Sequence, residues 1–333
     1  IGLIIHQLTN FLCNKKNYLL DNPNFSIHKE LTKNKNLPLT GGITFLILFL
    51  IFVDGFIELK IFGSLIFFIG LFSDLNFINS PKLRFLIQFI IIVFFVILLD
   101  IKIHQTKFHL IDIFLDNLYF KYFFSIFCLL VLINGSNFID GLNGLMLGYF
   151  ISIIFIIFYL NLNLSLEIER NLMISLLAIL VFLFVLNINN KLFMGDSGSY
   201  VLSLLTGFFL IKIYELNAHI SPYFIILLLW YPCFENLFSI IRKFSLKKSP
   251  IAADNNHLHQ LIFIYLKKKL VSKNLDINNI SSFVIIFYNL FIFSISLIDP
   301  SNSQLQITLV ILNIIIYLFT YFKLFSFRYK IKF

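Results

Sequence analysis

Charge is scarce in this chain. Asp, Glu, Lys and Arg supply 13% of its 333 residues, about half the share of an ordinary soluble domain. Hydrophobic residues supply 59%, and the mean hydropathy is +0.90, which excludes a water-soluble globule of ordinary composition. Cysteine is scarce too. Cys13, Cys128 and Cys233 stand far apart with no C-x-x-C spacing, so they indicate neither a disulfide framework nor a zinc site and read as small apolar residues. Long hydrophilic stretches are absent as well: the widest connection, 242–280, leaves no room for a soluble domain.

What fills the chain instead is a series of apolar runs long enough to cross or nearly cross a bilayer, at 41–58, 61–73, 84–101, 118–133, 141–160, 171–188, 199–213, 221–241, 281–298 and 306–325. A shorter run at 1–12 follows an initial Ile1 and reads as a clipped helix, for about eleven spans. The expected fold class is therefore all-α, a polytopic integral membrane bundle of about ten to eleven transmembrane helices. It forms a single domain over 1–333, with 242–280 as a cytoplasmic loop. The net charge of +9 would suggest nucleic acid for a soluble protein, but here its distribution matters more. The loops after the first, third, fifth, seventh and ninth spans and the C-terminal tail hold twenty of the twenty-six Lys and Arg. By the positive-inside rule that side is cytoplasmic, and no nucleic-acid partner is expected.

The unusual polar clusters fall on the same side. They are LPLTGGI (37–43), GLFSDLNFINSPKLRFLIQ (70–88), NGSNFIDGLNGL (134–145), KLFMGDSGSYVLS (191–203) and RKFSLKKSPIAADNNHLHQL (242–261). The outer loops carry charges such as Glu167, Glu169 and Arg170 but no recurring motif. Polar groups at membrane depth are costly and mark function, so one site at the inner surface is implied. Asp74, Asp140 and Asp196, with Asn oxygens beside them, are hard ligands suited to Mg²⁺ or Mn²⁺ rather than zinc. Lys82, Arg84, Arg242, Lys243, Lys247 and Lys248 supply cations for phosphates. Carboxylates, a hard metal and cations together are the equipment of phosphoryl transfer. The glycines of GDSGS and DGLNG would let backbone N–H groups meet an anion at a helix start.

Plainer roles stand beside these. Asn134 and Asn137 could cap helices, Asp196 could serve a turn, and His257 and His259, two apart, do not share a helix face. Lys267, Lys268 and Lys269 read as a run facing lipid headgroups. Glu235 lies inside a span, seven residues before Arg242 and on its helix face, which suggests an intramembrane pair or a contact with the site.

With these motifs assembled in order, from LLDNPNFSIHK (19–29) and PLTGG (38–42) to FMGDSGS (193–199) and SPIAADNNHLHQL (249–261), the chain resembles the polyprenyl-phosphate N-acetylhexosamine-1-phosphate transferase family. The resemblance implies a bundle of ten or eleven helices with a cytoplasmic site in a bacterial inner membrane. The implied partners are a UDP-N-acetylhexosamine, a polyprenyl phosphate such as undecaprenyl phosphate, and membrane lipid, with a homodimer left open. It implies that UMP is released and the lipid-linked sugar diphosphate retained for cell-envelope polysaccharide synthesis. By motif position Asp196 matches the principal metal ligand, Asp74 the second member of a paired-aspartate motif, and Asp140 the first carboxylate of N-x-x-N-x-x-D-G-x-D-G. Lys82 matches a phosphate-binding lysine, with Asp74, Asp140 and Lys82 expected in catalysis. Asn134, Asn137, Asn143, Arg84, Asp254, His257 and His259 are expected to bind substrate.

The chain departs from that pattern at three positions. Ser73 stands where the family has the first Asp of its pair, Asn143 replaces the second Asp of DGxDG, and Gln260 replaces the last His. A lipid monophosphate is largely anionic near neutral pH, so a dedicated base is dispensable. A relative that binds without turnover is one rival reading. A transporter or flippase is another, although it would place polar residues at mid-depth and show internal repeats.

Overall fold

Every regular element among the described residues is an α-helix, the form in which a chain satisfies its own N–H and C=O groups where water is absent. The computed structural model describes residues 1–16, 19, 38–164, 170–217, 219–247, 249, 255–270 and 276–330. Most of the 19–29 motif, Asp254, Lys248, Glu167 and Glu169 lie outside the described residues.

The helices are α1 (Gly2–Lys16), α2 (Gly41–Phe52), α3 (Ile57–Asp74), α4 (Pro81–Leu98), α5 (His109–Leu115), α6 (Leu118–Ile139), α7 (Leu145–Leu164), α8 (Arg170–Ile188), α9 (Gly195–Leu216), α10 (Pro222–Ser245), α11 (Leu258–Lys269), α12 (Ile277–Ser296) and α13 (Ser303–Tyr329). Seven of them, α4, α6, α8, α9, α10, α12 and α13, are long and apolar enough to cross a membrane, and α1, α2 and α7 carry shorter apolar stretches. The short α5 and the lysine-ended α11 fall between apolar runs. The NGSNFI stretch, a polar cluster left between the apolar runs 118–133 and 141–160, forms the last turns of α6, so Asn134 and Asn137 are helical.

At the centre lies α9, buried almost without a break from Ser197 to Ile213 and packed on α2, α3 and α6. Its small residues explain how backbones come so close, as membrane helices lacking a hydrophobic drive require. The hydroxyls of Ser203 and Thr206 return to carbonyls of Ser199 and Leu202 in the same helix, so their burial leaves no donor unpaired. The rim is apolar on its outer face, with Phe94 on α4, Phe287 and Phe291 on α12 and Phe319 on α13 all exposed.

One break in α10 is repaired by another helix. Pro232 lies inside α10 and has no N–H to give the carbonyl four residues before it. The Tyr149 hydroxyl of α7 donates to that carbonyl, Leu228 O, at 2.8 Å. On its other side Pro232 meets α6 at Gly135, where an added Cβ would lie 2.2 Å from Pro232 O.

Candidate active site

Helix α9 begins at Gly195, whose φ of +70° is a conformation that glycine adopts without cost. The preceding Met194 offers no side-chain cap; the cap arrives from α3. Asp74 accepts from Asp196 N at 2.9 Å with one oxygen, and from Ser197 N at 3.1 Å and Ser197 Oγ at 2.8 Å with the other. A carboxylate at a helix N-terminus is favoured by the macrodipole. This approach needs bare backbone: a Cβ on Gly70 would sit 2.4 Å from Ser197 N and Cα. From the opposite side PLTGG braces the same turn, with Gly41 N donating to Phe193 O at 2.8 Å, Gly42 N to Met194 O at 3.1 Å and Phe193 N to Pro38 O at 3.0 Å.

Asp196, in the first turn of α9, gathers donors from three helices. Ser73 Oγ donates to its Oδ2 at 2.6 Å, Arg84 Nη1 at 2.5 Å and Tyr200 OH at 3.4 Å. Arg84 Nη1 also donates to Ser73 Oγ at 2.5 Å. Asp140, the residue that ends α6, takes a hydrogen bond from the Gly195 backbone. Asn137 Oδ1 accepts from Ser199 Oγ at 3.3 Å. Asn134 lies one step further in, donating to Leu130 O at 2.9 Å and to Gln88 Oε1 at 3.4 Å. Thus the ends of α3, α4, α6 and α9 converge and bring Asp74, Arg84, Asn137, Asp140 and Asp196 together.

The Asp196 charge opposes the ionisation of the two carboxyl groups beside it. Burial, reinforced by the Asp196 charge, pushes Asp74 up to about 8. Burial and the charges of Asp196 and Asp74 hold Asp140 well above the usual carboxylate range. A bound cation is the ordinary relief for such a cluster, and an all-oxygen donor set fits a hard divalent ion. Among the described residues no three His, Cys, Asp or Glu side chains stand at metal-ligating spacing. A Mg²⁺ held here would therefore use one or two carboxylates and complete its shell with phosphate oxygens and water, as Mg²⁺ usually does.

Among the described residues neither Asn143 nor Lys82 hydrogen-bonds to this cluster. Asn143 is buried beside α8 and α12: its N–H donates to Asn278 Oδ1 at 2.7 Å and its Nδ2 to Asn190 Oδ1 at 2.6 Å. The neighbouring Gly144 N donates to Asn187 Oδ1, and Asn187 Nδ2 donates to Leu192 O at 2.8 Å, so the GLNG turn is tied to the segment leading into α9. Lys82, on the first turn of α4, is exposed and forms no ion pair among the described residues.

His257 N-caps α11, and Gln260 Oε1 accepts from its N–H at 3.2 Å, closing a capping box. Its ring Nδ1 lies 2.9 Å from Glu235 Oε1. Glu235 is fully buried and accepts on its other oxygen from Tyr317 OH at 2.9 Å and Leu258 N at 3.3 Å. Glu235 thus meets His257 rather than Arg242. Arg242 donates to Asn256 O at 2.6 Å and to Tyr321 OH at 2.9 Å, strapping the chain before α11 to α10 and α13. The His257 ring is 5.0 Å from Phe138 on α6 and 5.7 Å, nearly parallel, from His259. Phe138, two residues before Asp140, thus ties the histidine pair to the end of α6.

Sequence reasoning passed over Tyr200, Tyr317 and the asparagines at 187, 190 and 278. Tyr200 had a signal, since it sits one turn after Asp196 on the same helix face. Tyr317 had none, lying 82 residues from its partner Glu235.

The family model described as Glycosyl transferase family 4 matches residues 56–214. The chain is 25% identical over 251 residues to a Thermotoga maritima protein named undecaprenyl-phosphate alpha-N-acetylglucosaminyl 1-phosphate transferase, covering 74% of this chain and 74% of that protein. To the Escherichia coli (strain K12) protein of the same name it is 29% identical over 267 residues, 74% of this chain and 70% of that one. A Bacillus subtilis (strain 168) protein named "Probable undecaprenyl-phosphate N-acetylglucosaminyl 1-phosphate transferase" is 34% identical over 191 residues, which is 55% of this chain and about half, 49%, of that protein.

Proposed function

We propose that this chain is a member of glycosyl transferase family 4, whose model matches residues 56–214, and that it transfers a sugar-1-phosphate, N-acetylhexosamine-1-phosphate by the names of its relatives, from a UDP-sugar to a polyprenyl phosphate. An oxygen of the lipid phosphate bonds to the sugar-linked phosphorus, the bond from that phosphorus to the bridging oxygen breaks, and UMP leaves with that oxygen. The observation that carries the reading is the meeting of Asp140, Asp196 and Arg84 at one end of an apolar bundle. Such a place is where a lipid's phosphate and a water-soluble diphosphate can reach the same groups.

In this reading Asp196 and Asp140 hold Mg²⁺, or Mn²⁺, which supplies neutralisation of diphosphate charge. Asp74 holds the α9 turn so that the Asp196 carboxylate is fixed in place. The first-turn N–H groups of Asp196 and Ser197 face Asp74, so anion binding falls to side chains. Arg84 lies beside the carboxylates, and His257, aimed by Glu235, is a candidate for the nucleotide-sugar phosphates. The lysine and arginine bias supports the cytoplasmic side for this end of the bundle, and the family resemblance implies a bacterial plasma membrane.

The test is UMP release by the detergent-purified protein supplied with polyprenyl phosphate and a panel of UDP-sugars, with and without Mg²⁺. We expect cation-dependent release with a UDP-N-acetylhexosamine. No release from any UDP-sugar at millimolar Mg²⁺ would refute the transferase reading.

A further inference from the structure

The departure at position 73 acquires a physical meaning from its surroundings. One guanidinium nitrogen, Arg84 Nη1, lies 2.5 Å from both Ser73 Oγ and Asp196 Oδ2, and Ser73 Oγ lies 2.6 Å from that same Oδ2. Because the arginine can only donate, the serine hydroxyl must accept from it and send its own proton to Asp196. The three groups form a closed triangle with one direction of donation. Tyr200 OH approaches Oδ2 as a third donor at 3.4 Å. One oxygen of Asp196 is thereby saturated, and its charge is met by a cation belonging to the chain. The pair is only partly shielded, at 26% and 21% side-chain exposure, so it can be opened.

We propose that Ser73 and Arg84 form a resident clamp on Asp196 that competes with a divalent cation for this carboxylate, and that Ser73 is the residue that sets the affinity of the site for the cation. The inference rests on the reading of Asp196 as a metal ligand. A carboxylate at 73 could not donate to Asp196. It would add a negative charge beside Oδ2 and give Arg84 a second acidic partner, and both effects favour a divalent ion. A hydroxyl does the reverse, tying the arginine to Asp196 without adding charge. Arg84 is accordingly a positioning residue whose withdrawal accompanies metal entry.

Metal binding itself, without substrate, is the readout. Free Mn²⁺ is measured by electron paramagnetic resonance while the detergent-purified protein is titrated, for the parent, Ser73→Asp, Arg84→Gln and Asp196→Asn, with melting curves confirming that each is folded. Arg84→Gln keeps an amide donor but removes the charge. We expect Asp196→Asn to abolish specific Mn²⁺ binding, and Arg84→Gln and Ser73→Asp each to tighten it about tenfold, the worth of one charge-assisted hydrogen bond. If the parent binds Mn²⁺ through Asp196 but neither variant tightens it, the clamp is wrong and the metal reading stands. If no folded variant binds Mn²⁺ and the parent does not either, both fall together.

Discussion

Glu235 is the residue whose surroundings say most about its work. A fully buried carboxylate is tolerated only when its lone pairs are met, and here three donors meet them: His257 Nδ1, Leu258 N and Tyr317 OH. Two of the three fix the start of α11 and the ring of its N-cap histidine. An orienting carboxylate of this kind sets which imidazole nitrogen is left to face a ligand. Replacement by Gln keeps the shape but turns one acceptor into a donor facing donors. We expect Glu235→Gln to lower kcat/KM for the UDP-sugar by about tenfold or more, as loss of a charged hydrogen bond does, while Tyr317→Phe, which leaves two donors, stays within about threefold. Steady-state kinetics with melting curves decide it: an unchanged kcat/KM in Glu235→Gln would remove the residue from any part in aiming His257. The sequence marked Glu235 as an intramembrane charge in a pair or in contact with the site, and Arg242 was the partner its helix face offered. Its partners came from α11 and α13, and no helical periodicity could have named them.

At the scale of elements, the site is built from helix ends pressed together more closely than side chains allow. The clearest case is the crossing of α3 and α9. Gly63 and Gly70 lie on the same helix, but a Cβ on Gly63 would meet only Val201 Cγ1 at 3.8 Å, an ordinary contact, whereas one on Gly70 would collide with Ser197 backbone at 2.4 Å. Ala is the better helix former by about 1 kcal/mol. Gly63→Ala should therefore leave the melting temperature unchanged or raised. Gly70→Ala should destabilise by about 2 kcal/mol or more and uncouple Asp74 from the α9 turn, lowering turnover as well. Equal behaviour of the two variants would show that the close approach is not used. The motifs PLTGG and GDSGS were visible as glycine-rich stretches, but their pairing, Gly41 and Gly42 on Phe193 and Met194, was not. Residues more than 150 positions apart in sequence leave no local trace of their contact.

For the whole molecule the decisive quantity is the distribution of polarity. Exposed phenylalanines and isoleucines cover the rim while serines, asparagines and a glutamate are buried, an arrangement expected of a body solvated by lipid. The proposed orientation rests on charge rather than packing. Ser249 is exposed in the basic connection between α10 and α11. A Ser249→Cys protein in intact cells should resist an impermeant thiol reagent and react readily in inverted vesicles, with the parent's Cys13, Cys128 and Cys233 as background. Efficient labelling from outside would reverse the topology and move the site to the other face.

Membrane location, the all-α class and the gathering of the acidic motifs at one end were legible in the chain itself, because hydropathy and charge act locally and sum along the sequence; of the ten or eleven spans expected, seven are helices long and apolar enough to cross among the described residues. The motif order likewise pointed to the family. Hidden from it was what each polar group faces. Asp74 turned out to cap a helix 122 residues away, Asn143 to pair with asparagines of α8's end and α12, and Ser73 to link an arginine to Asp196. A hydrogen bond is directional and extends about 3 Å, so its partner is settled only when helices from distant parts of the chain have been brought side by side.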